Sequence, residues 1–328
     1  MHPSPPDGGP PPKRWCQTAG VGLIGGWAAD LVLGDPRRFH PVAGFGRIAI
    51  ALERRMYAPR RGRGALYCCL LVASAAALAK LLASAADRAG LGRCATVAAL
   101  AWATIGGRSL VNEASKITDL LQRGELEAAR ARLPALVGRD VDGMNEAEAC
   151  RAVVESVAEN TADAVLGTLL WGALAGPAGM AAFRAANTLD AMVGHRNSRY
   201  QDFGWAAARL DDVMAWPAAR IGAVLAAACA PLVGGSASIA WRTLCDDGAR
   251  HPSPNAGRME AAFAGALGVR LGGQLAYGGR HEMRPVLGGG REPGVHDVAR
   301  ATRLSLAIGA TSALLCAGLR VAFGQGAR

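Results

Sequence analysis

The segment from Ala65 to Ala86 constrains this chain more than any other feature. It is built from Ala, Leu, Val, Ser and Cys with a single Tyr, and carries one charged residue, Lys80, near its end. That length spans a hydrocarbon core of roughly 30 Å as a helix. Lys80 sits where a long side chain can snorkel to the interface. Weaker apolar runs follow at 94–107, 164–183, 213–235 and 304–324, and one precedes it at 18–34. The 164–183 run is interrupted by Gly176-Pro177, and the 213–235 run contains Pro217, Arg220 and Pro231. Residues 108–163 read as amphipathic helices, with Leu110, Ile117, Leu120 and Leu121 on one helical stripe. The expected fold is all-α, a polytopic integral membrane protein with four to six embedded helices and amphipathic cytoplasmic helices between them.

Composition agrees. Hydrophobic residues make up 51% of the 328 residues and charged residues 19%, against roughly 25% in ordinary soluble domains. Residues 1–14 (MHPSPPDGGPPPKR) read as a disordered tail, and 15–328 as a single membrane domain. The run that follows the tail imitates a signal peptide, but Asp30 and Gly34-Asp35-Pro36 argue against cleavage. The eight cysteines form no CxxC pair and several lie inside apolar runs, as small buried hydrophobes in a reducing compartment would.

The net charge is 36 − 26 = +10, almost all of it Arg. Sparse aromatics and the lack of a recognisable module exclude nucleic acid as a partner. The bilayer and anionic small molecules remain. Eight Arg fall between residues 35 and 63, which places that loop on the cytoplasmic side. Basic loops at 184–212 and 236–303 cannot all be cytoplasmic by simple alternation. The conflict disappears if the 164–183 and 213–235 runs are buried or re-entrant.

Polar residues concentrate in four places. At the end of the first run, Asp35 and His40 flank two prolines, as turn or cap residues or as part of a site. In RAVVESVAENTAD (151–163), Glu155, Glu159 and Asp163 are spaced i, i+4 and i+8 and share one helical face. Such a face is either solvated and paired with Arg, or neutralised by a hard divalent ion such as Mg²⁺ holding nucleotide phosphates. Between 184 and 212 lie Arg184, Asn187, Asp190, His195, Arg196, Arg209 and the pair Asp211-Asp212. Groups of that density between two apolar segments are costly unless they form a site. In HPSPNAGRME (251–260), Ser253, Asn255 and Arg258 either contact a phosphate or cap the helix that begins near Met259. No P-loop, GxSxG elbow or GxGxxG after a strand-like run is present, so any nucleotide binds through a non-standard site.

Together these segments resemble the CobD/CbiB family of adenosylcobinamide-phosphate synthases. The resemblance rests on LVLGDPRRFHPVAGFGR (31–47), RAVVESVAENTADAV (151–165), FRAANTLDAMVGHRNSRYQDFGWAAARLDDV (183–213) and HPSPNAGRMEAAFAGALGVRLGG (251–273), in the family's order. It implies a multi-pass protein of the bacterial cytoplasmic (inner) membrane with its catalytic motifs on the cytoplasmic side. The reaction it implies joins (R)-1-aminopropan-2-ol, or its phosphate, to a propionate carboxylate of the corrinoid adenosylcobyric acid, in adenosylcobalamin (vitamin B12) biosynthesis. ATP is the implied activator, and late cobalamin-assembly enzymes at the membrane are possible partners. On this footing Mg²⁺ with ATP is expected near Glu155, Glu159 and Asp163, with Asp211 and Asp212 as a second metal pair. Asn160 orients phosphate oxygens, and Arg184 and Arg196 clamp phosphate or carboxylate. Asp190 or His195 is the expected base, and Glu159 is expected to be essential. Asp35, Asn187, Arg209, Asn255 and Arg258 complete the expected substrate and ATP contacts. The competing class is a non-catalytic polytopic transporter or signalling protein, and a soluble all-α enzyme is a weaker third.

Overall fold

The computed structural model describes residues 13–35, 40–195, 197–277 and 280–323. Most of the N-terminal tail, Arg196 and residues 36–39 of the first motif lie outside them. The chain divides into two compact units, one of residues 1–105, 168–211 and 312–328 and the other of 106–167 and 212–311. Both lie within what the sequence presents as one domain.

The first unit contains α1 (Lys13–Leu33), α2 (Pro41–Met56), α3 (Arg61–Arg88), α4 (Arg93–Thr104) and nearly all of α8 (Gly167–Val193). Small residues let α1 and α4 approach. A Cβ on Gly22 would lie 2.7 Å from the Cys94 carbonyl oxygen, and one on Gly26 would lie 2.4 Å from the Ala101 Cβ. This is the small-xxx-small packing that membrane helices use in place of a hydrophobic drive. On α3, Tyr67, Cys68 and Leu71 bury against Leu189 and Val193 of α8 and Phe203. The Tyr67 hydroxyl donates to the Ala49 carbonyl at 3.1 Å, so this buried polar atom is satisfied. Inside α8, Gly176 takes φ 63° and ψ −151°, and the helix is kinked there, just before Pro177.

The second unit contains α5 (Gly107–Gln122), α6 (Leu126–Arg132), α7 (Glu146–Asn160), most of α9 (Trp205–Cys229), α10 (Ala237–Asp247), α11 (Ala256–Leu267) and most of α12 (Val295–Phe323). Asn145 opens α7 with a capping box closed by Glu148. A π-helical turn, Thr161–Leu166, continues it. Of the stripe on α5, Leu110, Ile117 and Leu121 are buried, as their spacing requires, and Leu120 is partly buried against the same core. Helix α11 is buried on every face except at Arg258. Its small side chains permit this, since a Cβ on Gly265 would already meet the Ala240 Cα at 2.7 Å.

Five helical stretches are long and apolar enough to cross a membrane: Arg61–Arg88, Arg93–Gln122, Glu146–Val193, Trp205–Val233 and Val295–Ala322. The protein is a polytopic α-helical membrane protein. The third and fourth stretches are 72% and 61% buried within the protein, against 22% for the first. They are therefore largely enclosed by protein, the property that a buried or re-entrant reading of those runs requires. Among the described residues the strand structure is an antiparallel pair, β1 (Leu271–Tyr277) and β2 (Arg280–Leu287), with an isolated parallel bridge between Val269 and Arg291 beside it. Its glycines and alternating side chains follow α11 directly, and Gly272 and Gly273 adopt φ of 80° and 85° at the start of β1.

Candidate functional site

The second unit carries a partly open cavity of about 260 Å³. Three carboxylates line it, Glu155 and Glu159 from α7 and Glu260 from α11, together with Arg139, His251 and Arg284. Glu159 is exposed, whereas Glu155 and Glu260 are buried.

Each group is held by local structure. The segment carrying Arg139 is tied to α7 by Ser156, whose hydroxyl donates to the Leu136 carbonyl at 2.8 Å. Arg139 pairs with Glu155 at 2.7 Å, and only 6% of its side chain is exposed. Its Nε has no hydrogen-bond partner. The other Glu155 oxygen accepts the Gly272 backbone N–H at 2.7 Å. Glycine is needed there, because a Cβ would lie 2.1 Å from the Pro285 carbonyl oxygen and φ is positive. His251 accepts from the Ser253 N–H through Nδ1 at 3.0 Å, and its Nε2 lies 3.2 Å from Arg284 Nη1. Arg284 also pairs with Glu282 at 2.8 Å.

The electrostatics separate these groups. Burial pushes the Glu260 carboxyl well above the usual carboxylate range, and the neighbouring Glu155 and Glu159 push it further, against Arg139 and Arg284. Burial and then the Arg284 charge hold His251 below the ordinary imidazole value, which keeps the ring neutral.

A second polar cluster lies in the first unit. Arg184 donates to Asn187 Oδ1 at 3.3 Å, and Asn187 Nδ2 donates to Asp211 Oδ1, also at 3.3 Å. Asp190 packs against Gly194, where an added Cβ would sit 1.9 Å from its Oδ1. His195 and Arg209 are exposed. The following turn is anchored by Glu53, which accepts from Arg199 at 2.9 Å and from the Tyr200 hydroxyl at 3.0 Å. Arg199 also stacks 4.3 Å from the Tyr57 ring centroid.

The remaining sequence-derived residues take local structural roles. His40 caps α2 by accepting from the Val42 N–H at 3.2 Å, and lies 3.7 Å from Asp35. Asn160 turns back on α7 and donates to the Ser156 carbonyl at 2.9 Å. Asn255 donates to the Asp212 carbonyl at 2.8 Å and accepts from Arg220 at 3.2 Å, while Ser253 caps the start of α11. Arg258 is half-buried. Asp163 is half-buried in the π turn and does not line the cavity with Glu155 and Glu159. A π turn carries an extra residue, which breaks the i, i+4, i+8 register. Among the described residues no group of three or more His, Cys, Asp or Glu is disposed to hold a metal ion.

The family described as CobD/Cbib protein matches residues 23–305. The chain belongs to the CobD/CbiB family. A cobalamin biosynthesis protein CobD of Mycobacterium tuberculosis (strain CDC 1551 / Oshkosh) is 50% identical, over 91% of this chain and 95% of its own length. A protein of the same name from Pelobacter propionicus is 41% identical over 87% and 93%, and one from Rhizobium meliloti is 39% identical over 79% and 83%. No solved structure matches.

Sequence reasoning found Glu155 and Glu159 of this CobD/CbiB cavity but assigned no role to Arg139, Glu260, His251 or Arg284. Glu260 had a signal, since it is the lone carboxylate in a helix otherwise made of small and apolar residues plus Arg258 (AGRMEAAFAGAL). Arg139 had none, because a loop arginine becomes a cavity wall only through tertiary packing.

Proposed function

We propose that this protein acts in cobalamin biosynthesis as an ATP-dependent amide ligase. It attaches (R)-1-aminopropan-2-ol or its phosphate to a propionate carboxylate of adenosylcobyric acid. Membership of a family whose matched relatives are named for cobalamin biosynthesis carries the pathway, and the chemistry rests on the family resemblance and on the two polar clusters.

Amide formation from a carboxylate is uphill in water. The carboxylate oxygen attacks the terminal phosphorus of ATP and releases ADP. The amine nitrogen then attacks the acyl phosphate, phosphate leaves, and the nitrogen gives up a proton. The protein has to bind phosphates, deliver the amine unprotonated and exclude water. Arg184, linked through Asn187 to Asp211, has the guanidinium chemistry for phosphate or carboxylate. Asp190 and His195 are the proposed proton acceptors on that side.

Glu155, Glu159 and Asp163 do not fit a shared metal. Both oxygens of Glu155 are engaged, and Asp163 does not line the cavity. Mg²⁺ arriving on ATP carries phosphate and water ligands and needs only one or two protein carboxylates. Asp211, which accepts from Asn187, is the carboxylate we assign to it, and the ion would neutralise phosphate charge there.

The basic 35–63 segment supports a cytoplasmic-membrane location with that segment inside. The deciding test is ligation by purified protein in lipid, with adenosylcobyric acid, ATP, Mg²⁺ and either amine form. Amide formation is the expected result. Its absence with well-inserted protein, together with failure to complement a mutant blocked at this step, refutes the reading in favour of a non-catalytic membrane protein.

A further inference from the structure

The connection between α2 and α3 in the first unit gathers five arginines within ten residues. Arg54 and Arg55 stand in the last turn of α2, Arg60 precedes α3, and Arg61 and Arg63 stand in its first turn. All five are exposed. Arg61 pairs with Asp202 at 3.1 Å. Arg54, Arg55, Arg60 and Arg63 form no ion pair among the described residues. The first turn of α3 carries no acidic residue. Glu53, the one carboxylate between residues 41 and 70, is buried and taken by Arg199 and the Tyr200 hydroxyl. Guanidiniums so close along the chain repel one another, and no carboxylate among the described residues pairs with these four.

The same arginines stand at the end of an apolar stretch that faces outward. Arg61–Arg88 is only 22% buried within the protein, so most of its surface is left to lipid. Arg63, Leu66 and Leu70 fall at i, i+3 and i+7 on one helical face, and the two leucines are 50% and 46% exposed. A guanidinium therefore stands one turn beyond an exposed apolar stripe. Arg61 stacks 5.5 Å from the ring centroid of Trp205, which opens the apolar stretch Trp205–Val233. A half-exposed tryptophan at the end of a span marks the level of the membrane–water boundary. We infer that this segment binds an anionic phospholipid, its phosphodiester held by Arg60 and Arg63 within the field of Arg54 and Arg55, and its acyl chains lying along Leu66 and Leu70. Guanidinium is the side chain suited to bidentate contact with phosphate oxygens, and clusters of arginine next to a span attract anionic headgroups. A soluble phosphate is the poorer occupant, since it makes no use of the apolar stripe and exposed arginines in water hold it weakly. The inference does not depend on the ligation chemistry.

The test uses the full chain in nanodiscs of phosphatidylcholine with a minority of phosphatidylglycerol, and native mass spectrometry of the released protein counts the lipids it retains. Phosphatidylglycerol should be retained in preference to phosphatidylcholine, and the preference should fall as salt is raised. Arg60→Gln and Arg63→Gln should each weaken that retention about fivefold, and the double variant by the product of the two. Leu66→Ser with Leu70→Ser should weaken it at unchanged charge. Arg242→Gln, which removes an exposed arginine of α10 in the second unit, should leave it as in wild type. The wild-type measurements need no substitution, so they decide the matter even where a variant inserts poorly. Equal retention of the two lipids, wild-type retention in the Arg60→Gln/Arg63→Gln protein, or an equal loss in Arg242→Gln overturns the inference. Displacement of the lipid by inorganic phosphate beyond that caused by chloride at the same ionic strength also overturns it, in favour of a soluble anion.

Discussion

The Arg139–Glu155 pair offers a quantitative test of the cavity. Its atoms are 2.7 Å apart and the two side chains are 6% and 11% exposed. Replacing Arg139 by Met strands a carboxylate that keeps only the Gly272 N–H and faces two further glutamates around the same cavity. Replacing Glu155 by Met strands a guanidinium whose Nε already has no partner. Breaking one side of such a pair costs about 3–5 kcal/mol, whereas replacing both sides by apolar groups is often neutral. The Gly272 hydrogen bond softens Arg139→Met towards the lower figure. Glu155→Met should sit at the upper one, less whatever is regained by removing repulsion on Glu260. The double variant should recover most of the loss, giving a coupling of at least about 2 kcal/mol. Reversible unfolding in mixed detergent micelles, followed by the exposure of buried thiols such as Cys150, measures all four corners. Hydrogen exchange at the Gly272 amide reports whether β1 leaves α7. Single effects that add, with a coupling below about 0.5 kcal/mol, would refute the pairing and the desolvation on which the cavity's charge balance depends.

Three further outcomes follow from named contacts. Glu159→Gln should lower ligation about a hundredfold in protein that still inserts and folds, and full activity would remove Glu159 from the mechanism. The raised Glu260 carboxyl favours the fold in its protonated form, so its contribution is complete below the ordinary value of 4.5 and is lost as the pH rises through the folded value; Glu260→Gln should abolish that decline in unfolding measurements carried upward from the ordinary value, and an unaltered pH profile would show that Glu260 is not the titrating group. Gly64→Ala would set a Cβ 1.8 Å from the Phe203 carbonyl oxygen and should destabilise by about 1–3 kcal/mol, with faster exchange of the Gly204 amide, whereas Gly62→Ala meets nothing within 4 Å and should not.

The helices were legible because their signals are local. The run around Ala65–Ala86, the Leu110–Ile117–Leu121 stripe and the Gly176-Pro177 break each reappear in the structure. The β1–β2 pair was missed, since a Gly-rich stretch with a few alternating residues carries little periodicity against so much helix. The site was legible only where one helix supplied it. Glu155 and Glu159 share a face of α7, but the π turn after Asn160 removes Asp163 from that face, and nothing in the i+4 spacing warns of it. Asp35, His40, Asn160 and Asn255 look the same in sequence whether they bind a ligand or complete a cap. The geometry shows each engaged in local or packing contacts.

Glu260 carries a pH-dependent stability cost in this unit. An Ala or Met at that position would suit a helix buried on nearly every side better than an ionised carboxylate. The surrounding charges do not offset its burial, because Arg139 pairs with Glu155 and Arg284 with Glu282. Salt and solvent cannot screen it either, at 6% exposure. Protonation is the relief available to it, because a neutral carboxyl avoids the charge that burial, Glu155 and Glu159 all oppose. The cost therefore appears only as the pH rises through the folded value, and Glu260→Gln should be the more stable protein there while gaining nothing below the ordinary value of 4.5. A variant that is equally stabilised at both ends of that range would show that the effect is one of packing and not of charge.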